Sequence, residues 1–257
     1  MTALLRSELL KIRTTAVPWV LAGVAILLEG LSILTSFIRD RNAGGGYVVP
    51  ATTQELRNLL GAGFRLGYLM ALLLGTLVVT TEFRHKTVTA SFLVTPRRVY
   101  FVVGKIATGA ILGVLLGVLL LVVALIGGGI PLAARGGSFG DLVRQLPAVA
   151  PGFLLVFALF AVLGIGVGSL LTNQVAAIIA SLGWFIIGEN ILVGLVNAAY
   201  RWTPTGAGAA AANLTRDRRG AVEISLFNWW QGTLLMLAFG LGFALVGSYF
   251  LTRRDIT

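Results

Sequence analysis

The sequence predicts an all-α, polytopic integral membrane protein with six transmembrane helices, an N-terminal amphipathic surface helix, and a short cytoplasmic helix between spans two and three. Three observations carry this. The 257 residues are 57% hydrophobic and only 12% charged, where a soluble domain carries about a quarter charged residues. The apolar residues fall into six long runs, and about 20 such residues cross a bilayer as a helix. The twenty Lys and Arg lie around the ends of those runs, where membrane proteins carry them. A soluble helical core fails on the length of the runs.

The expected spans are 16–38, 60–81, 101–126, 149–171, 175–198 and 229–251, forming a single transmembrane domain over 1–257. Helices are the form to expect, because backbone amides find no water in lipid. Arg6, Lys11 and Arg13 before the first run imitate a signal peptide, but the run exceeds the roughly 7–15 residues of a signal core and no small-residue cleavage site follows. It reads as an uncleaved span. Ahead of it, 2–14 places Leu4, Leu5, Leu9 and Ile12 on one arc, a helix suited to lie on the membrane surface against lipid headgroups. Spans four and five are separated by Thr172-Asn173-Gln174, enough for a tight helical hairpin. An even span number puts both termini on one side. A cytoplasmic N-terminus places ten basic residues inside, all three lysines among them, against nine outside.

Small residues recur every four positions at Gly109, Gly113 and Gly117 in span three, at Gly164 and Gly168 in span four, and at Gly240, Ala244 and Ser248 in span six. Such faces let helices approach closely in lipid. Four polar residues fall inside spans: Glu29, Arg65, Glu189 and Asn190. Charge at bilayer depth costs about 2.5–3.5 kcal/mol on translocon scales, so these residues face the bundle interior or water. Glu29 and Arg65 differ in depth by about four residues, or roughly 6 Å. An intramembrane ion pair and two separate polar contacts are both open.

The net charge of +10 does not point to nucleic acid, since the cations flank the spans. There is no Walker string, one histidine and no cysteine, so no HExxH metal site, catalytic triad or Cys-based metal site can be assembled. No covalent chemistry is expected of the chain, and any energetic work needs another polypeptide.

One polar, basic island interrupts the apolar sequence: Glu82, Phe83, Arg84, His85, Lys86 and Thr87, then Thr95-Pro96-Arg97-Arg98, then Gly104-Lys105. Pro96 ends any helix before it. Glu82 suits a helix N-terminus, so a helix from Glu82 to about Val94 is expected. A helix–helix connection needs only 2–8 residues, and this one has about 20.

These residues resemble the permease subunits of type-2 ATP-binding-cassette (ABC) exporters: an acid, an aromatic, a base and Thr, then a Pro-Arg-Arg turn and a Gly-Lys pair. Lys86 stands where such permeases more often have Gly or Asn. Glu8-Leu9-Leu10-Lys11-Ile12-Arg13, Thr203-Pro204-Thr205-Gly206 and the tail from Tyr249 to Asp255 add to the resemblance. It implies a six-span permease of a bacterial cell membrane with cytoplasmic termini, working as two permease copies, or one copy and a relative, with two separate ATPase subunits that bind ATP and Mg. The 82–100 loop would be the coupling helix docked on the ATPase, through Glu82, Phe83, Arg84, His85, Lys86, Thr87, Arg97 and Arg98. Part of 199–228 would dip back into the outer leaflet, with 213–223 as its exposed part. A hydrophobic or amphiphilic cargo (drug, lipid or peptide) suits so apolar a chain. The alternatives are an ion-driven secondary transporter and a non-transport assembly or immunity protein. Trp184, Trp202, Trp229 and Trp230 fit interfacial anchors.

Overall fold

The computed structural model describes residues 15–37, 50, 52–85, 98–171, 173–215 and 226–253, with the backbone alone at 98–102, 248 and 251–253. The surface helix expected at 2–14 and most of the helix expected after span two lie outside these residues. Every element described is helical, and six helices are long and apolar enough to cross a membrane.

Span one is Ala16–Ser36. Span two comes in two pieces, Thr53–Leu60 and Phe64–Arg84, joined by a turn at 61–63. Its first piece starts earlier than the apolar run because Thr52 and Glu55 form a reciprocal cap. The Glu55 amide donates to Thr52 Oγ1 (3.2 Å), and the Thr52 amide donates to Glu55 Oε2 (2.9 Å). Span three is Arg98–Ala134, well past the expected end at 126. Beyond 126, Gly128 and Gly129 make room for Leu59 and Phe139. The helix stops at Gly136, whose φ of 83° is open to glycine. There the Gly137 amide donates to Leu132 O (2.9 Å), and the Gly136 amide to Ala133 O (3.1 Å).

Span four, Leu146–Leu170, is the hub, packed against spans two, three and six. Phe153, Phe157 and Phe160 on it are fully buried. Glycine faces set these approaches. A Cβ on Gly164 would collide with the Leu72 carbonyl of span two, and one on Gly168 would lie 2.8 Å from Thr76 O. On span three, Gly113 faces the Phe157 carbonyl and Gly109 faces Ile165, while Gly117 lies against Leu154 and Phe157. Span six, Trp229–Arg253, brings Ala244 onto Gly166. Spans one and five are peripheral and turn Leu27, Leu31, Ile187 and Leu195 outward.

Span five runs from Gln174 to Leu195, with a π-helical stretch at Gly183–Gly188. Asn173 caps its start, accepting from the Val175 and Ala176 amides. A 3-10 turn at Asn197–Trp202 then leads into a short helix, Pro204–Ala211, all of whose residues are buried. This is a re-entrant element. It ends at Asn213, which takes φ 55° while the Leu214 amide reaches back to Ala209 O (2.9 Å).

The exposed stretch expected at 213–223 needs correction at its start. Asn213 is half-buried and donates to Ala148 O (2.7 Å), and Leu214 is buried. Asn213 is polar because the left-handed cap favours it, not because it meets water. Exposure begins at Thr215, and 216–225 lie outside the described residues.

The glycine packing makes a paired prediction. Gly164→Ala forces spans two and four apart and lowers stability by about 1–3 kcal/mol. Gly30→Ala, with open space around it, leaves stability unchanged or slightly higher. Thermal melts of the detergent-purified variants check both signs.

Candidate functional site

Two polar regions stand at opposite ends of the bundle. The first lies where residues 85–97 join spans two and three. Span two continues through Arg84, with His85 as its C-cap. Glu82 therefore sits in the last turn of span two and does not open the following helix, which corrects the sequence expectation. An acid at a helix C-terminus opposes the macrodipole. The compensation comes from Lys105, early in span three, whose Nζ lies 2.7 Å from Glu82 Oε1 and also donates to Val78 O (3.3 Å).

Both side chains are almost wholly buried, at 3% exposure for Lys105 and 7% for Glu82. The pair joins the two helices that carry the loop, at the depth where they enter the membrane. Glu82 is thus turned into the bundle, away from any partner's surface. Phe83 is half-buried, and Arg84 and His85 are exposed. Arg84 Nη1 donates to Gln174 Oε1 at the start of span five (3.2 Å). Lys86, Thr87 and Arg97 lie outside the described residues, and Arg98 begins span three with its side chain undescribed. A cavity of about 390 Å³ opens beside the pair, bounded by Pro18, Leu77, Arg84, His85 and Gln174.

At the other end, a cavity of about 370 Å³ separates span two from span five and the re-entrant helix. Its wall combines aromatics (Phe64, Tyr68, Phe185) with polar groups (Asn58, Arg65, Asn190). Tyr68 and Phe185 form its aromatic floor, backed by the fully buried Phe160, with ring centroids 4.8 to 5.8 Å apart. Glu189 is buried and accepts from the Thr205 amide (3.3 Å) and from the Thr205 hydroxyl. Asn190 is exposed and donates to Ile186 O (2.8 Å).

Glu29 and Arg65 are not paired. Arg65 is exposed and donates to Thr35 Oγ1 (2.9 Å), more than a turn along span one from Glu29. Glu29 is 1% exposed, lies against Gly63, and neither of its oxygens meets a hydrogen-bond donor among the described residues. The break at 61–63 turns the first residues of Phe64–Arg84 so that Arg65 points outward. No group of three metal-ligating side chains occurs among the described residues.

The first four spans, the basic loop between spans two and three, and most of span five are what the family comparison covers. A model of the ABC-2 family transporter proteins matches residues 4–188. The chain belongs to that family. ABC-2 permeases are membrane transport components that generally work with ABC ATPases, and the chain is a multi-pass membrane protein of this type. No curated protein is similar enough to match it. The matched stretch contains Glu29, Arg65, Glu82 and Lys105, and stops one residue short of Glu189.

Sequence reasoning named Lys105 only as half of a Gly-Lys pair. The missed signal was depth: a lysine inside an apolar run needs a partner there, and Glu82 is the acid at the matching end of span two. Thr205 carried no such signal.

Two predictions test this geometry. Removing one member of the buried pair, as in Glu82→Ala or Lys105→Ala, strands a charge and destabilises by about 3–5 kcal/mol. The apolar double replacement Glu82→Leu/Lys105→Met stays near the parent. Denaturation of the four proteins reads the difference. For the other acid, exchanging the charges in Glu29→Arg/Arg65→Glu restores nothing beyond the worse single variant, as transport or folded yield will report.

Proposed function

We propose that this chain is the membrane-spanning subunit of an ATP-driven ABC exporter, coupled to separate ATPase subunits through its 82–100 loop. The observation that carries this is the buried Glu82–Lys105 bond inside an ABC-2 family permease. A loop that merely oriented the protein would need no such anchorage. A loop that receives force does, because a push on it reaches the bundle only if the two helices bearing it move as one.

Arg84 and His85, exposed beside the pair, are then the first described residues of the docking surface. Phe83, half-buried, precedes them in the last turn of span two. Lys86, Thr87, Arg97 and Arg98 complete that surface in the proposal. Glu82 acts from inside, as the anchor. ATP and Mg are bound by the partner, whose closure drives the permease between two packings of rigid helices. Two copies of this chain, or this chain and a relative, form the pathway in a bacterial cell membrane with both termini in the cytoplasm.

The cargo that the site supports is amphiphilic: a drug, lipid or peptide with an apolar body and a polar end. A cavity of about 370 Å³ falls within the size range of small-molecule sites, and its aromatic floor and polar rim match the two ends of such a molecule. ATPase stimulation of the reconstituted complex by a panel of lipids, peptides and antibiotics identifies the cargo class.

Arg84→Glu tests the coupling. The variant inserts and folds as the parent does, since Arg84 is exposed, yet loses cargo-stimulated ATPase activity at least tenfold and co-purifies less of the ATPase. Unaltered stimulation in this variant removes the loop from the mechanism.

A further inference from the structure

Glu189 sits within span five and is buried. Its carboxylate is spent on a helix end. The re-entrant helix begins with Thr203 as N-cap and Pro204 in its first turn, so its free amides start at Thr205. Glu189 accepts the Thr205 amide and hydroxyl, and Thr203 Oγ1 accepts the Gly206 amide (3.1 Å). An anionic acceptor at that end also meets the positive pole of the helix.

The π-helical stretch Gly183–Gly188 runs directly into Glu189. Such stretches are rare and concentrate at functional sites. Phe185 and Glu189 both reach the same cavity across this wide turn, and Asn190 closes on Ile186 O. Returning the stretch to α-helical register shifts the following residues by one position, about 100° of rotation. That rotation swings Glu189 off Thr205.

The other end of the re-entrant helix is fastened differently. Asn213 bonds Ala148 on span four, and its carbonyl accepts from Gln54 (3.1 Å). Between the two ends the contacts are small and smooth: Gly232 of span six lies against Ala207, and Gly152 of span four against Ala211. One end is therefore a hinge, and the middle can slide.

We propose that Glu189 is a latch: set by the π-helical stretch of span five, it fastens the Thr205 end of the re-entrant helix, making that helix a hinged wall of the cavity between spans two and five. Thr205 and Ala209 present the wall to the cavity. At rest the latch is closed, with Glu189 bonded to the Thr205 amide and hydroxyl, and opening leaves the buried amide without that acceptor. A register change in span five opens it. The inference concerns the purified chain alone and stands or falls apart from the identity of the ATPase.

The chain has no cysteine, so one introduced thiol reports one position. Ala209→Cys, on the inner side of the wall, and Ala124→Cys, fully buried in span three, are each reacted with a water-soluble methanethiosulfonate in nanodiscs. Adding Thr205→Val, which keeps the volume and deletes the hydroxyl, raises the rate at position 209 at least tenfold and leaves position 124 unreactive. Thr205→Ser and Glu189→Gln, which keep the donor and the acceptor, stay within about threefold of the parent. Glu189→Leu behaves as Thr205→Val does. An unchanged rate at 209 in Thr205→Val overturns the latch, and so does a parallel rise at 124, which marks general loosening.

Discussion

In hydrocarbon nothing squeezes helices together as water does, so this bundle depends on how closely its backbones approach at span four. Lipid tails are as apolar as leucine, and association rests on packing and on bonds between helices. Gly164 and Gly168 admit span two, Gly109 and Gly113 admit span three, and Gly166 admits span six. At Gly113, Gly164, Gly166 and Gly168 the neighbour is backbone, so no larger residue fits there, whereas Gly109 meets the end of the Ile165 side chain. The hydroxyls brought along are satisfied within their own helices: Thr76 bonds Leu72 O, Thr80 bonds Thr76 O, and Ser169 bonds Ile165 O. The hub is therefore dry, and polar work is confined to the two ends.

Charge inside the bundle is handled in distinct ways. Lys105 and Glu82 neutralise each other. Glu189 serves amides at a helix start. Arg65 is turned out to Thr35 on an exposed face. Glu29 lies against Gly63, at the start of the long piece of span two. The Glu82–Lys105 and Glu189–Thr205 bonds each join different helices, so these two buried acids also fix a register that apolar packing alone leaves free to slide.

The six spans could be read from the sequence because the length of an apolar run is a property of one segment. The glycine faces were visible for the same reason: a four-residue repeat defines a face without knowledge of its partner. What failed required a second segment. The Glu29–Arg65 match used depth along unbroken helices, and the turn at 61–63 breaks one of them. Glu82 looked like a helix start because its partner, 23 residues away, was not yet assigned. The re-entrant helix Pro204–Ala211 is too short and too rich in Ala and Gly to show as a span, so only its capping residues, Thr203 and Asn213, marked its ends.

The two polar ends meet in span two. At one end, Lys105 holds Glu82, so spans two and three share one motion there. At the other, the same helix presents Tyr68 to Phe185 of span five across a ring contact. Ring contacts of this kind are worth about 0.5–1.5 kcal/mol each and tolerate sliding, whereas the buried ion pair does not. In the coupling proposed above, movement imposed at the loop would be carried into span two through the ion pair and released at the aromatic side of the cavity. Span five, peripheral and interrupted by its π-helical stretch, is in that proposal the element that would answer the movement, and Glu189 is its bond to the Thr205 end of the short helix.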